Sequence, residues 1–270
     1  MTLALNLPGP AACARLRDWG ASVVKVEPPT GDPLQSYCAD WYRRLHEGIE
    51  VRRIDLKGDA GKRELYALLG AADVLVTAQR PAALARLFLS PEDLAKRHPV
   101  LCHVGIVGHA PPHDGIAGHD LTYMASLGLV APGVMPPTLF ADMAGAERAV
   151  SAALALLVSR HASGRCMSMT VALADAAEAL AAPRREGLTA PGALLGGALP
   201  GYNLYAARSG WIAVAALEPH FAQRLAQALG LAELTHAALR ERFLARDAED
   251  WEAWARERDL PIAALPDSPY

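Results

Sequence analysis

Short apolar segments alternate with amphipathic ones through the first two thirds of the chain. Four segments have the length and pattern of buried strands, namely residues 2–6, 22–27, 73–77 and 100–107. Three others space their apolar side chains as helices do, namely residues 11–19, 61–69 and 91–97. Because strands and helices alternate, the pattern predicts parallel strands covered by helices. We therefore expect an α/β fold with a large, doubly wound, Rossmann-like domain.

The pattern changes after residue 182. Residues 144–161 and 172–182 predict helices around a strand at 167–171, whereas residues 183–200 are rich in proline and glycine and predict a linker. Beyond them, two strands flank Arg208-Ser209-Gly210 as a hairpin, and helices follow. We therefore predict a large domain at 1–182, a linker at 183–200 and a smaller α+β domain at 201–270.

Composition and charge narrow the function classes. The 270 residues are 52% hydrophobic and 20% charged, with a net charge of −3 and no long basic run, which argues against a nucleic-acid partner. Charged residues interrupt every apolar stretch before it reaches the length of a membrane span, and the N-terminus lacks a signal-peptide pattern. The four cysteines show no CxxC spacing, so we expect ordinary thiols and a cytoplasmic location.

Candidate chemistry centres on His119 and Asp142, one imidazole and one carboxylate near the starts of predicted elements. Two such groups can act on opposite faces of a carbon acid, one removing a proton and the other returning it. Both residues can equally be helix caps or loop residues. The first βα turn lacks the GxGxxG fingerprint, which makes a dinucleotide site a weak interpretation. The histidines near residues 103–119 follow no metal-ligand spacing, so no metal site is expected.

A wider set of motifs resembles one known family, the family III CoA-transferases and α-methylacyl-CoA racemases. The similar segments share its order and spacing across residues 3–260; they are residues 7–10, 19–27, 31–33, 54–57, 72–76, 80–81, 118–123, 139–145 and 159–165. The resemblance implies an enzyme acting on acyl-CoA in lipid metabolism. It also implies an interlocked homodimer, in which the small domain of one chain meets the large domain of the other.

The two branches of that family imply different roles for the same residues. In the racemase branch, His119 and Asp142 match the two bases that invert the α-carbon of a 2-methylacyl-CoA through an enolate, and Glu218 matches the residue that orients the histidine. In the transferase branch, Asp142 matches the nucleophile that attacks the thioester. Asp142 therefore does not separate the branches, whereas His119 and Glu218 favour the racemase.

The resemblance also assigns contacts for CoA. Lys57, Arg80 and Arg86 match positions that contact CoA in the family, and cationic side chains suit its phosphates. Each of them can equally be a solvated surface charge. CoA is then part of the substrate, and no metal or nucleotide cofactor is expected.

Several positions depart from the family pattern. Pro28-Pro29 replaces an arginine that usually follows Lys-Val-Glu, and Ala78-Gln79-Arg80 replaces an Asn-Phe-Arg type segment. The small domain is also expected to be shortened at its C-terminal part, because little sequence follows residues 259–262. These departures introduce a third hypothesis, a non-catalytic relative that serves as a binding or scaffold protein.

Overall fold

The computed structural model describes residues 1–165 and 167–266 and divides the chain into two compact units, Met1–Leu180 and Ala181–Tyr270. The strands of the first unit are β1 (Val24–Glu27), β2 (Glu50–Arg53), β3 (Val74–Thr77), β4 (Cys102–Val107) and β5 (Ser168–Ala172). Its helices are α1 (Pro8–Asp18), α2 (Pro33–Tyr37), α3 (Ala39–His46), α4 (Asp59–Gly70), α5 (Pro81–Arg86), α6 (Pro91–Arg97), α7 (Asp120–Ser126) and α8 (Phe140–Ser163). Helix α9 (Leu173–Arg185) begins in this unit and crosses its boundary.

One parallel sheet organises the first unit. β1 pairs with β2, and β4 lies between β3 and β5, all in parallel register. Thr2 joins the two groups, because it bridges to Lys25 on one side and to Val76 on the other. The order is therefore β2, β1, the N-terminal segment, β3, β4, β5. This is the doubly wound arrangement, in which the strand order reverses at the first segment, and it confirms the predicted α/β fold.

The core of this unit lies between the sheet and the long helix α8. Small side chains of α8, including Ala146, Ala149 and Ala153, are almost completely buried and let the helix approach α1 and β4 closely. Helix α8 begins at Phe140, four residues before the predicted start, so that Asp142 lies in its first turn. Helix α1 begins at Pro8, three residues before the predicted start at residue 11, because a proline in the first turn lacks only an N–H that would have no partner within the helix.

The second unit contains an antiparallel sheet with β7 (Trp211–Ala215) between β6 (Tyr202–Ala206) and β8 (Ile262–Ala264). Its helices are α10 (Pro219–Leu229), α11 (His236–Phe243) and α12 (Ala248–Arg256), and Leu194–Ala198 forms an irregular turn with non-helical backbone at Gly196 and Gly197. The hairpin predicted around Arg208-Ser209-Gly210 is present. Trp251 and Trp254 are buried against this sheet in an edge-to-face pair with ring centroids 5.1 Å apart, as expected for packing residues.

A buried ionic cluster lies beneath the end of β1. The Lys25 ammonium is 3.0 Å from Glu27 Oε1 and 2.8 Å from His46 Nε2, and it also contacts the Asp32 carboxylate. Tyr42 donates a hydrogen bond to Glu27 Oε1 at 2.8 Å, and burial lowers the pKa of His46, which keeps its ring neutral. His46 Nδ1 lies 2.7 Å from the Tyr42 carbonyl, so Nδ1 donates there and Nε2 accepts from Lys25.

One of the described cysteines differs from the sequence-based expectation. Cys13 is a buried free thiol and Cys38 an exposed one, as expected. Cys102 is disulfide-bonded, so the expectation of an ordinary thiol is wrong at this position, and Cys166 lies outside the described residues.

His103 on β4 is a buried histidine in the middle of the sheet. Its Nε2 lies 2.9 Å from Thr77 Oγ1 on β3, and its Nδ1 lies 3.3 Å from Ser168 Oγ on β5. Burial lowers the pKa of His103 from 6.5 to about 4. The ring is therefore neutral in the folded protein across a pH range in which the unfolded chain binds a proton.

We expect this difference to appear as acid sensitivity. The contribution of neutral His103 to the free energy of unfolding is fully present above pH 6.5 and is lost as the pH falls toward 4. The loss amounts to about 3 kcal/mol, at roughly 1.4 kcal/mol per pH unit. His103→Gln should flatten the dependence of the unfolding free energy on pH between 6.5 and 4, as measured by urea unfolding. His113→Gln, at an exposed position, is the control. Parallel curves for the wild type and His103→Gln would contradict the assignment.

Candidate active site

Asp142 lies in the first turn of α8 and is half-buried. Its backbone N–H donates a hydrogen bond to Asp120 Oδ1 at 3.0 Å. Burial and then the nearby Asp120 carboxylate raise the pKa of Asp142 to about 6, and His119 acts in the opposite direction. A carboxyl group with this pKa exists in both protonation states near neutral pH, which suits a group that accepts and returns a proton.

His119 lies at the N-cap of α7, and its side chain is exposed. Thr122 fixes the backbone here, since its Oγ1 accepts from the His119 N–H at 3.0 Å and donates to the His119 carbonyl at 2.8 Å. The His119 imidazole is close enough to Asp142 to influence the pKa of that carboxyl group. The structure thus brings the two predicted bases together at the starts of two helices that pack against each other.

Tyr123 supports the segment that carries His119. Its ring is buried against Gly108 and Gly118, where an added Cβ would lie 2.4 Å from Tyr123 Oη and 2.4 Å from Tyr123 Cε1 respectively. Both glycines are therefore required by this close approach. The ring also meets His109 edge to face, with centroids 5.1 Å apart. Burial and the Asp142 carboxylate raise the pKa of Tyr123, so its hydroxyl keeps its proton.

Asp120 is a residue at this site to which the sequence analysis assigned no role. It directly follows His119 and is only 3% exposed. Its Oδ1 accepts the hydrogen bond from the Asp142 backbone, whereas its buried Oδ2 has no hydrogen-bond partner in the described part of the chain. The signal available in the sequence was a carboxylate directly after His119, next to the start of a predicted element, where such a group is usually solvated.

A pocket of about 760 Å³ lies at the carboxyl ends of β1, β2 and β3, where the strand order reverses. Ligands of open α/β sheets bind in this kind of crevice. Its walls are mostly apolar, and its cationic side chains include the predicted Lys57 and Arg86. Lys62 of α4 also lines it, a residue that the sequence analysis did not select.

The remaining predicted site residues lie elsewhere. Arg80 is exposed at the N-cap of α5, directly after Gln79, which lines the pocket; Arg80 is not itself one of the pocket residues found in the described chain. Glu218 is exposed at the N-cap of α10 in the second unit, whereas His119 and Asp142 belong to the first. Its role in orienting His119 stays a prediction.

Potential metal ligands do occur together in the buried cluster. Glu27, Asp32 and His46 place one ligand atom each within 4.8 Å of one another. The ammonium of Lys25 contacts all three, so a positive charge already lies where a cation would bind. These residues therefore fit a structural ion cluster better than a metal site. Across residues 1–165 and 167–266, no helix has both the length and the apolar character needed to cross a bilayer.

A sequence model of CoA-transferase family III matches residues 1–268. The chain belongs to CoA-transferase family III. Its relatives carry more than one activity in their names. One is a probable fatty acyl-CoA transferase of Mycobacterium tuberculosis, which is 30% identical across 66% of this chain and 50% of its own length.

Two further relatives are named for two different activities, racemisation and CoA transfer. Human alpha-methylacyl-CoA racemase is 28% identical across 83% of this chain and 62% of the racemase. Cinnamoyl-CoA:phenyllactate CoA-transferase of Clostridium sporogenes is 32% identical across 51% of this chain and 38% of the transferase. The chain thus spans between about two fifths and three fifths of the length of these relatives.

Solved structures support the fold of this family III chain. A hypothetical protein from Mycobacterium tuberculosis superposes with a TM-score of 0.84 at 24% identity, covering 98% of this chain and 83% of that protein. A CaiB/BaiF family protein from Brucella suis gives a TM-score of 0.80 at 22% identity, covering 99% and 82%. At this level of identity the likeness establishes the shared architecture.

Proposed function

We propose that this chain is an acyl-CoA racemase that inverts the α-carbon of a 2-methylacyl-CoA. The observation that carries the proposal is the pairing of Asp142, a carboxyl group with a pKa of about 6, with the exposed imidazole of His119. A single base exchanges a proton on one face of a carbon acid, whereas inversion requires a second group on the other face. The resemblance to the human racemase, across 83% of this chain, supports the same assignment.

The proposed reaction uses the two groups in opposite protonation states. The Asp142 carboxylate takes the α-proton, and the electron pair of the C–H bond is delocalised onto the thioester oxygen as an enolate. The His119 imidazolium then donates its proton to the opposite face of the carbon. In the reverse direction, neutral His119 removes the proton and protonated Asp142 returns one. Glu218 orients His119 in an interlocked homodimer, and the protein acts in the cytoplasm; both statements belong to this proposal.

The 760 Å³ pocket at the point where the strand order reverses, the switch-point pocket, supports CoA as the activating group. The apolar surfaces of Leu3 and Val26 suit the adenine and pantetheine parts, and the cations suit the phosphates. The three cationic side chains that line the pocket are Lys57, Lys62 and Arg86. CoA then enters as part of the substrate, without a separate cofactor.

The test is α-proton exchange in deuterium oxide. Purified protein is incubated with one enantiomer of a 2-methylacyl-CoA and no acceptor acid, and deuterium uptake and chirality are followed by NMR and chiral chromatography. Uptake with epimerisation supports the racemase. Folded, dimeric protein that gives no uptake over a series of 2-methylacyl chains refutes it.

The second candidate function is CoA transfer, which the transferase relatives favour. There the Asp142 carboxylate attacks the thioester carbonyl, the C–S bond breaks, and CoA leaves as the thiolate while an acyl anhydride remains on Asp142. This reaction needs an acceptor acid and can be trapped with hydroxylamine as a mass change at Asp142. Protein that binds CoA but gives neither exchange nor an adduct supports the non-catalytic hypothesis.

Lys57 provides a direct test of the pocket. Lys57→Ala is expected to weaken CoA binding about tenfold, because a charge-assisted hydrogen bond to phosphate contributes roughly 1.5–3 kcal/mol and is partly screened at this exposed position. Isothermal titration calorimetry with CoA measures the effect, which should shrink at high salt. Lys96→Ala, an exposed change on α6, is the control. Equal affinities for the wild type and Lys57→Ala would exclude Lys57 from the site.

A further inference from the structure

The start of α8 depends on a carboxylate from another helix. The N-cap residue Leu139 has no side-chain oxygen, so α8 lacks a local cap for the N–H groups of its first turn. Asp120 of α7 provides one, since its Oδ1 accepts from the Asp142 N–H at 3.0 Å. This hydrogen bond fixes the backbone of Asp142 to the segment that carries His119.

No ion pair within the described residues neutralises the charge of Asp120. The side chain is 3% exposed, and none of the ion pairs within residues 1–165 and 167–266 includes it. Its Oδ2 is buried and without a hydrogen-bond partner among those residues. A buried polar atom in this condition is costly and is retained mainly where it serves a function. Here the uncompensated charge lies next to the carboxyl group of Asp142.

We propose that Asp120 is a positioning residue for Asp142, which it anchors at the start of α8 and disposes toward binding a proton. The inference rests on the proposed role of Asp142 as an acid and base. Two carboxyl groups that share a site resist simultaneous ionisation, and Asp120 accordingly raises the pKa of Asp142. Among the described residues, the titratable groups that face Asp142 are Asp120, His119 and Tyr123; Asp120 raises the pKa of Asp142 and His119 lowers it.

Asp120→Asn separates the two parts of this role. The amide keeps the oxygen that accepts from the Asp142 N–H but removes the charge, so the fold is retained and the pKa of Asp142 should fall from about 6 toward its ordinary value. Carboxyl ¹³C NMR titration of aspartate-labelled protein measures it without substrate, and the missing signal in Asp142→Asn identifies the resonance. Asp114→Asn, in the loop before α7, is the matched control and should leave the titration unchanged.

The pH profile of α-proton exchange gives a second readout. In Asp120→Asn the acid limb should move to lower pH with KM unchanged, whereas a merely structural role would lower the rate equally at every pH. Asp120→Ala also removes the acceptor and should lower the Tm as well. An Asp142 titration unaffected by Asp120→Asn overturns the proposal. A shifted titration in a protein that catalyses no exchange upholds it and refutes the racemase function instead.

Discussion

Asp142→Asn is expected to lower the rate of α-proton exchange by about 10²–10⁴-fold, the range associated with loss of a general base. The amide has nearly the same volume as the carboxylate but does not accept the proton. In the wild type, removal of the proton by Asp142 should slow as the pH falls below about 6, because the carboxyl group becomes protonated there. Deuterium uptake by a 2-methylacyl-CoA, measured from pH 5 to 8, tests both statements.

The controls for this variant separate chemistry from binding. CoA affinity should be unchanged in Asp142→Asn, since Asp142 does not line the switch-point pocket of the described chain. Glu147→Gln, an exposed change further along α8, should retain full exchange activity. His119→Ala should abolish epimerisation while leaving any acyl adduct at Asp142 intact. Epimerisation at the wild-type rate in Asp142→Asn would exclude this carboxylate as one of the two bases.

Lys25→Met is expected to lower the free energy of unfolding by about 3–5 kcal/mol, the usual cost of removing one partner from a buried ion pair. The reason is that Glu27 and Asp32, both almost fully buried, would lose the ammonium that contacts them. Methionine fills a similar volume, so the effect reports the charge and not a cavity. Urea unfolding at pH 7 measures it.

Lys96→Met provides the reference for this second variant, because Lys96 is exposed on α6 and should tolerate the change within about 0.5 kcal/mol. His46→Gln should perturb the same cluster less, because the side-chain amide of glutamine can still accept a hydrogen bond from Lys25. A Lys25→Met protein as stable as the reference would show that the buried cluster adds little to the fold. Such neutrality would also contradict the interpretation of Glu27, Asp32 and His46 as a structural ion cluster.

The sequence was most informative where the hydrophobic pattern was unambiguous. Helix α6 has its predicted bounds, because Ser90 and Pro91 define its start. Helices α2 and α3 and strand β2 were missed, since Asp32–Arg53 is mostly polar and three of its buried residues, Asp32, Tyr42 and His46, are charged or aromatic. A pattern based on apolar side chains does not detect an element whose interior is an ion cluster.

The candidate site was also predictable only in part from the sequence. His119 and Asp142 follow from recognisable motifs, and the structure brings their segments together. Asp120 was not selected because a carboxylate at a helix start is normally solvated, and only the fold shows that α8 covers it. Lys62 was missed because its relation to the pocket depends on how α4 packs over the sheet, which the spacing of residues along the chain does not determine.

Helix α8 also connects two distant edges of the sheet. Its 24 residues extend for about 36 Å. Asp142 lies at one end, and Arg160 in the last turn donates to the Val100 carbonyl at 2.9 Å and to Asp73 Oδ1 at 2.8 Å. Val100 and Asp73 precede β4 and β3, so this end is held at the amino edge of the strands. The helix is therefore held at both ends, and the position of the Asp142 carboxylate depends partly on contacts at the amino ends of the strands.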